Sequence, residues 1–364
     1  MRWRVLAVLG ATALMMAGMA PATAQNGAQV VASGLNNPRG LSFSPNGGLY
    51  VAEAGSGGSG PCFAGPEGPA CFGHSGSVTR IDGSGQRRVL SGLPSYGEEG
   101  TGNSAIGPSD VAFQGQGSMY VTEGLGLDLD FSKTIPALSS MGKLLNKQGA
   151  KLKVVADLAA FEDANNPAGD EENVNPNSVL SVGGARVVSD AGANDLLRVA
   201  ANGRISVLAT FPNRLVDAPP FLGLPPGTQI PMDAVPTSVA QGPDGALYVG
   251  QLTGFPFPVG GANVYRIVPG KAPQVFASGF TNIIDIAFDK RGTLYVLEIF
   301  KNGLLSGDPT GALIRVDRNG RQHVIMSTGL ITPGGLALRG GAAYVSNCGT
   351  CAGSGEVLRI PLGS

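Results

Sequence analysis

The stretch from Asn37 to Gly55, NPRGLSFSPNGGLYVAEAG, decides the fold. It reads as an apolar strand, a tight Pro45-Asn46-Gly47 turn, and a second strand ending in Glu53. Apolar and polar residues alternate on either side of the turn, the period of paired antiparallel strands. The pattern then returns five times along the chain. The copies are GPSDVAFQGQGSMYVTEG from Gly107, NPNSVLSVGGARVVSDAG from Asn175, VPTSVAQGPDGALYVGQLTG from Val235, NIIDIAFDKRGTLYVLEIF from Asn282 and TPGGLALRGGAAYVSNCG from Thr332.

A second pair of strands follows each copy, most clearly in GSVTRIDGSGQRRVLSGL from Gly76, LLRVAANGRISVLATF from Leu196, NVYRIVPGKAPQVFASGF from Asn263 and ALIRVDRNGRQHVIMSTGL from Ala312. Each repeat is therefore a four-stranded antiparallel sheet, strands a to d, and such sheets repeated around an axis are propeller blades. The sixth repeat stops early, after GEVLRIPLGS from Gly355 supplies strand c. The missing strand d stands at the other end, where AQVVASGL from Ala28 matches QRRVLSGL from Gln86. The expectation is an all-β, six-bladed β-propeller over 25–364. The N-terminal strand completes the last blade and removes an open edge.

Residues 1–24 read as a Sec signal peptide: Arg2 and Arg4, an apolar run from Val5 to Ala20, and a small-residue ending at Ala22-Thr23-Ala24. Cleavage after Ala24 puts the mature protein in the periplasm or the medium and leaves no apolar stretch long enough for a membrane span. The formal net charge of −1 becomes more acidic once Arg2 and Arg4 are gone. That excludes the basic footprint of a nucleic-acid binder. With 57 glycines and 43% hydrophobic residues, the chain suits short strands joined by tight turns and does not suit disorder. An oxidising compartment favours disulfides among Cys62, Cys71, Cys348 and Cys351, and local pairing of each neighbouring two is preferred over the other connectivities.

The connections are lopsided. One end carries tight turns such as Pro243-Asp244-Gly245 and Asn319-Gly320, while every long insertion falls at the other end, the top. Long connections are tolerated and often carry function, so the top face is where a ligand is expected. The b-strand ends there supply Glu53, Glu123, Asp190, Gln251, Glu298 and Asn347. The four carboxylates, Glu53, Glu123, Asp190 and Glu298, are the candidate ligands of a Ca²⁺ ion, which binds such oxygen donors. The a-strand starts supply Arg39, Asp110, Asn177 and Asp285 as candidate ligand contacts. Phe255 and Phe257 offer stacking faces, and His74 is placed in a top loop. The acidic stretch from Phe161 to Asn173 lacks the spacing of an EF-hand loop and reads as a solvated loop. No GxSxG nucleophile motif is present. Cys348-Gly-Thr-Cys351 ends a strand without a following helix, which suits a structural disulfide better than a redox or zinc site.

Taken together, GLNNPRGLSFSPNGGLYVAEAG, GSVTRID, VVADLAAFEDANNP, SDAGANDLLRV, GQLTGFPFPVGGANVYRI and ASGFTNIIDIAF resemble the ScyD/ScyE family over essentially the whole mature chain. The resemblance implies a secreted six-bladed propeller and implies no particular activity. A broader resemblance runs to NHL-type propellers and to the calcium-dependent gluconolactonases and regucalcin. Their metal ligands sit mainly at a-strand starts, and only Asn177 matches in position; Arg39, Ser109, Thr237, Ile284 and Gly334 depart from that pattern.

Two functions follow. The first is a binding protein for a small molecule, glycan or protein at the top face. The second is a calcium-dependent hydrolase or lactonase, with the metal polarising a carbonyl and a carboxylate or His74 as base. A PQQ-dependent sugar dehydrogenase fits less well, because basic residues and histidines do not cluster.

Overall fold

The computed structural model describes residues 27–115 and 117–363; the expected signal segment, 1–24, lies outside them. Among the described residues six antiparallel sheets of four or five strands follow one another, each running from an a strand to a d strand, beside two short two-stranded pairs. Sheet 1 comprises Pro38–Phe43, Leu49–Glu53, Gly68–Asp82 and Gly85–Glu98, with Gly60–Gly65 added beside the third strand. Sheet 2 comprises Pro108–Gln114, Ser118–Glu123, Lys143–Gln148 and Lys151–Asp157. Sheet 3 comprises Pro176–Val182, Ala185–Asp190, Asp195–Val199 and Ile205–Thr210. Sheet 4 comprises Pro236–Gln241, Leu247–Gln251, Ala262–Ile267 and Gln274–Phe280. Sheet 5 comprises Ile283–Phe288, Leu294–Glu298, Ala312–Val316 and Gln322–Met326. Sheet 6 comprises Gly335–Arg339, Ala342–Asn347, Gly355–Pro361 and, as its outer strand, Gln29–Leu35. The N-terminal strand pairs with the C-terminal one from Gln29↔Arg359 to Leu35↔Gly355.

The arrangement is propeller-like because each sheet is apolar on both faces of its inner strands. Val51, Val121, Val188, Val249, Val296 and Val345 recur at the centre of the b strands, each fully buried. The cores lie between sheets. Val78 and Leu93 of sheet 1 pack with Val111 and Val121 of sheet 2. Leu144 of sheet 2 meets Val179 and Leu197 of sheet 3. Leu297 and Leu313 of sheet 5 meet Val345 and Leu358 of sheet 6, and Val357 of sheet 6 meets Leu41 and Val51 of sheet 1. Each such aliphatic side chain contributes roughly 1.5–3 kcal/mol by leaving water.

Polar ties join the innermost strands near the top. Ser346 Oγ donates to Arg39 O at 2.7 Å, Ser109 Oγ to Pro176 O at 2.5 Å, and Asn177 Nδ2 to Thr237 O at 2.7 Å. Thr237 Oγ1 donates to Ile283 O at 2.7 Å, and Asp285 Oδ2 accepts from Leu336 N at 2.7 Å. These bonds satisfy inner-strand polar groups and tie each sheet to the next.

The top connections are more ordered than the sequence implies. Ser56–Ser75 is no loop: Gly60–Gly65 and the start of Gly68–Asp82 form a hairpin, stapled by the Cys62–Cys71 disulfide. Cys348–Cys351 closes the second disulfide, so both local pairings hold. Helix α1, Leu129–Lys133, is N-capped by Asp128, and helix α2, Leu158–Asn165, by Asp157. Asn166 ends α2 in the left-handed region at φ 36°. The acidic stretch read as a solvated loop therefore begins as a helix, and it buries Leu158 and Glu162 against sheet 3. No helix among the described residues is long and apolar enough to cross a membrane.

Candidate functional site

The top of sheets 1 to 3 holds a pocket of about 320 Å³. Its walls are the Gly65–Ala70 hairpin tip, Tyr96 to Glu98 of the long outer strand, Ser104 and Ile106 of the following connection, and Gly126 and Asn175. The hairpin stands where it does because the outer strands of sheet 1 run on past the end of the sheet, pairing Phe72 with Tyr96 and Ala70 with Glu98. Tyr96 is buried and donates its hydroxyl to Leu125 O at 2.6 Å, which holds its ring in the pocket wall. Burial pushes its phenol well above the ordinary range.

Arg39 lies beside this pocket. Its Nη2 donates to Ala105 O at 2.8 Å, between the lining residues Ser104 and Ile106. Burial pulls the guanidinium below its ordinary value, and the charge of Glu67 on the hairpin tip opposes that shift. Arg39, itself partly exposed and outside the lining, thus lies within reach of the charge of Glu67, and the exposed carboxylates Glu67 and Glu98 line a space walled partly by glycine and proline. Such a space offers charge-assisted donors and acceptors together.

The remaining a-strand candidates do not line the pocket. Asn177 is engaged by Thr237. Asp110 accepts from Val179 N at 2.8 Å, Ser178 Oγ at 3.1 Å and Val111 N at 2.7 Å. Gly40 makes room for it, since a Cβ there would stand 2.2 Å from Asp110 Oδ1. Asp110 and Asp285 are partly exposed, yet protein surrounds both carboxyls. Burial lifts Asp110 to about 7; burial and then the charge of Asp110 lift Asp285 well above its ordinary value.

The b-strand carboxylates are not gathered at one point. Glu53 turns outward: it accepts from Ser77 and Thr79 of strand c and pairs with Arg88 of strand d at 2.8 Å. A shared feature emerges instead. Glu53 accepts from Asn36 N, Asp190 from Asn175 N, Glu298 from Thr281 N and Asn347 from Ile331 N, at 2.7–2.8 Å. Four b-strand ends thus latch the segment that leads into their own sheet. Gln251 accepts from Arg214 and Asn263 N. Of these b-strand ends, Glu123 has both oxygens buried without a partner, and burial raises its pKa well above its ordinary value.

His74 is placed differently from the expectation. It projects exposed from strand Gly68–Asp82, edge-on to Phe72 at 5.1 Å, and not from a loop. Phe255 and Phe257 pack on each other at 6.3 Å, with Phe221 beside Phe255 at 6.2 Å. That aromatic group stands over sheet 4, and its residues are not among the pocket lining. Among the described residues, the one group of candidate metal ligands with atoms within 4.8 Å of one another is Cys62, Cys71 and Glu99, and its cysteines are already joined to each other.

A putative gluconolactonase aligns over 93% of this chain and 93% of its own, at 14% identity and a TM-score of 0.52. A PQQ-bound aldose sugar dehydrogenase from Streptomyces coelicolor aligns over 91% and 96%, at 12% identity and a TM-score of 0.52. An auxiliary nutrient binding protein from Bacteroides thetaiotaomicron aligns over 90% of this chain and 69% of its own, at 9% identity and a TM-score of 0.52.

The chain has an all-β, propeller-like fold.

It is distantly similar to several propeller enzymes and binding proteins, and at these identities the likeness concerns the fold alone. No protein-family model matches the chain, and no curated protein matches it.

Proposed function

We propose that this is an exported, ScyD/ScyE-like β-propeller of six closed blades that binds a small polar ligand, of the sugar or hydroxy-acid class, in the top-face pocket. Closure is supported by the Gln29–Leu35 strand completing sheet 6 and by the core shared between sheets 6 and 1. The ScyD/ScyE likeness is supported by the sequence pieces beginning at Asn37, Gly250 and Gly279. The observation that carries the ligand reading is the 320 Å³ pocket lined by Glu67 and Glu98, with the Arg39 guanidinium held beside its wall by Ala105 O at 2.8 Å. Two carboxylates lining a volume of this size, with a cation beside its wall, suit a polyhydroxyl compound, which offers donors and acceptors on every side.

A Ca²⁺-dependent hydrolase with its metal at the top of the central channel finds less support, because Glu53, Asp190 and Glu298 each engage a backbone N–H of their own sheet's entry. The test is calorimetric titration of the mature protein with monosaccharides, aldonic and uronic acids and their lactones, with Glu67→Gln and Arg39→Lys beside it. A ligand that binds the parent and loses tenfold or more in both variants supports the pocket. No binding across the panel, or binding that neither variant alters, removes the proposal. Hydrolysis of a bound lactone would instead favour the enzyme.

A further inference from the structure

Beneath helix α2, four acidic residues converge from three parts of the chain. Glu162 comes from α2, Asp170 from the connection after it, and Asp190 and Asp195 from the two ends of the b–c hairpin of sheet 3, where they are directly paired across the strands. Glu162, Asp190 and Asp195 are 2%, 1% and 0% exposed. Water therefore does not solvate these carboxyls. Among the described residues no lysine, arginine or histidine forms an ion pair with any of the four.

Burial alone would not mark a site; the unpartnered oxygens do. Both oxygens of Glu162, both of Asp195, Oδ1 of Asp170 and Oδ1 of Asn173 are buried without a hydrogen-bond partner. Asp195 feels the charges of Asp190, Glu162 and Asp170, and Glu162 those of Asp190, Asp170 and Glu172, so these groups lie near one another, and Asp190 and Asp195 stand opposite each other in the hairpin. Asn173 Oδ1 reaches the same hairpin, 2.6 Å from where a Cβ on Gly192 would stand. The other donors are already committed. Asn194 Nδ2 donates to Asp170 Oδ2 at 2.8 Å, and three backbone N–H groups, of Asn175, Gly192 and Ala193, donate to Asp190 Oδ1. A buried carboxylate without a partner costs several kcal/mol, and four together repel. All the free atoms are oxygens, from carboxylates and one amide carbonyl, with no nitrogen or sulfur ligand. That donor set suits a hard cation that accepts six to eight oxygens in flexible geometry.

We infer that Glu162, Asp170, Asn173 and Asp195, with Asp190 beside them, form a Ca²⁺ site that pins helix α2 and its following connection onto sheet 3. The site is separate from the ring of b-strand carboxylates considered above and shares only Asp190 with it. Among the described residues no three of these carboxylates offer oxygens within 4.8 Å of one another, so the inference requires their side chains to close on the ion. The site does not depend on the sugar-class pocket. Asp190 nonetheless joins the two, because it holds the N–H of Asn175, which lines that pocket.

The experiment is calorimetric titration of the EDTA-treated mature protein with CaCl₂, with thermal melts in EDTA and in CaCl₂, for the parent and for Asp195→Asn, Glu162→Gln and Glu298→Gln. The expected result is saturable binding near one ion per chain and a higher melting temperature in calcium. Asp195→Asn and Glu162→Gln are expected to lose at least tenfold in affinity while melting no lower than the parent in EDTA, since each replaces a buried carboxyl without a hydrogen-bond partner by an uncharged amide of the same shape. Glu298→Gln should bind like the parent. A parent that neither binds Ca²⁺ nor changes its melting temperature overturns the inference, even if a variant does not fold. So does a loss of binding in Glu298→Gln with Asp195→Asn unaffected, which would move the ion to the b-strand ring.

Discussion

The backbone N–H of Asn175 donates to the Asp190 carboxylate at 2.7 Å, and this bond links the entry of sheet 3 to its b–c hairpin. The same oxygen also accepts from Gly192 N and Ala193 N, both at 3.1 Å. Removing it leaves three backbone donors without their acceptor. Asp190→Ala is expected to destabilise the protein by about 3 kcal/mol, and Asp190→Asn by less, because an amide oxygen still accepts. Urea unfolding of the three proteins in EDTA measures it; equal losses in both variants would contradict the latch.

Glu53 and Arg88 form an ion pair with very unequal partners, the glutamate side chain fully buried and the arginine 45% exposed. Their removal should therefore be unequal. Glu53→Ala strands the hydroxyls of Ser77 and Thr79 and the Asn36 N–H, and is expected to cost roughly 3 kcal/mol. Arg88→Ala should cost about 1 kcal/mol, as the carboxylate keeps its other donors. Chemical denaturation of both variants separates the two roles.

Glu298 and Asp110 are both raised to about 7 by burial, above their unfolded values of about 4. The folded state therefore holds protons that the unfolded state releases between these limits. Their stabilising contribution is complete below about pH 4, declines as pH rises, and is gone above about pH 7. In EDTA, the urea midpoint should fall between pH 5 and pH 7.5. Glu298→Gln, which cannot titrate, should show a shallower fall; an unchanged slope would remove Glu298 as its source.

The Cys62–Cys71 disulfide closes a short loop in the hairpin that walls the pocket. Replacing both cysteines by serine is expected to cost roughly 2–3 kcal/mol of local stability through the freedom regained by the open hairpin. Limited proteolysis should then cut within residues 60–70 while the sheets stay resistant. Protection equal to the parent would mean that pairing with Gly68–Asp82 suffices.

Deleting residues up to Leu35 removes the outer strand of sheet 6 and exposes the edge of Gly355–Pro361. An unpaired edge recruits other chains, so the truncated protein should aggregate or dimerise, as read by size-exclusion chromatography and light scattering. A stable monomer would show that the strand is dispensable. Adding the missing segment as a separate peptide should restore the monomer.

Much of the fold was legible because strand alternation and turn residues are local. The repeats beginning at Asn37, Gly107, Asn175, Val235, Asn282 and Thr332 each became the a and b strands of a sheet, and the match of Ala28–Leu35 to Gln86–Leu93 anticipated the pairing of the two termini. Both disulfides joined near neighbours in sequence. The site residues were less legible. Arg39 does lie beside the pocket, but Tyr96, Glu67, Glu98 and Asn175 carry no pattern that sets them apart from other strand and loop residues. The Glu162 helix did leave a signal: Asp157 as N-cap, Leu158 and Phe161 three apart, and Asn166 at the end.

By itself, then, the sequence determined the strands, their order and the partner of the N-terminal strand, since each depends on residues a few positions apart or on a repeat compared with itself. The tertiary structure alone decided which way each polar side chain turned. Glu53, Glu123, Asp190 and Glu298 hold equivalent positions in their repeats, and all but Glu123 hold the entry of their own sheet, yet Glu53 also meets an arginine on an outer strand, Asp190 joins an acidic cluster, Glu298 has the latch alone and Glu123 meets nothing. Their fates differ because a carboxylate's environment is set by the insertions packed over it, and those insertions come from distant, unrepeated parts of the chain.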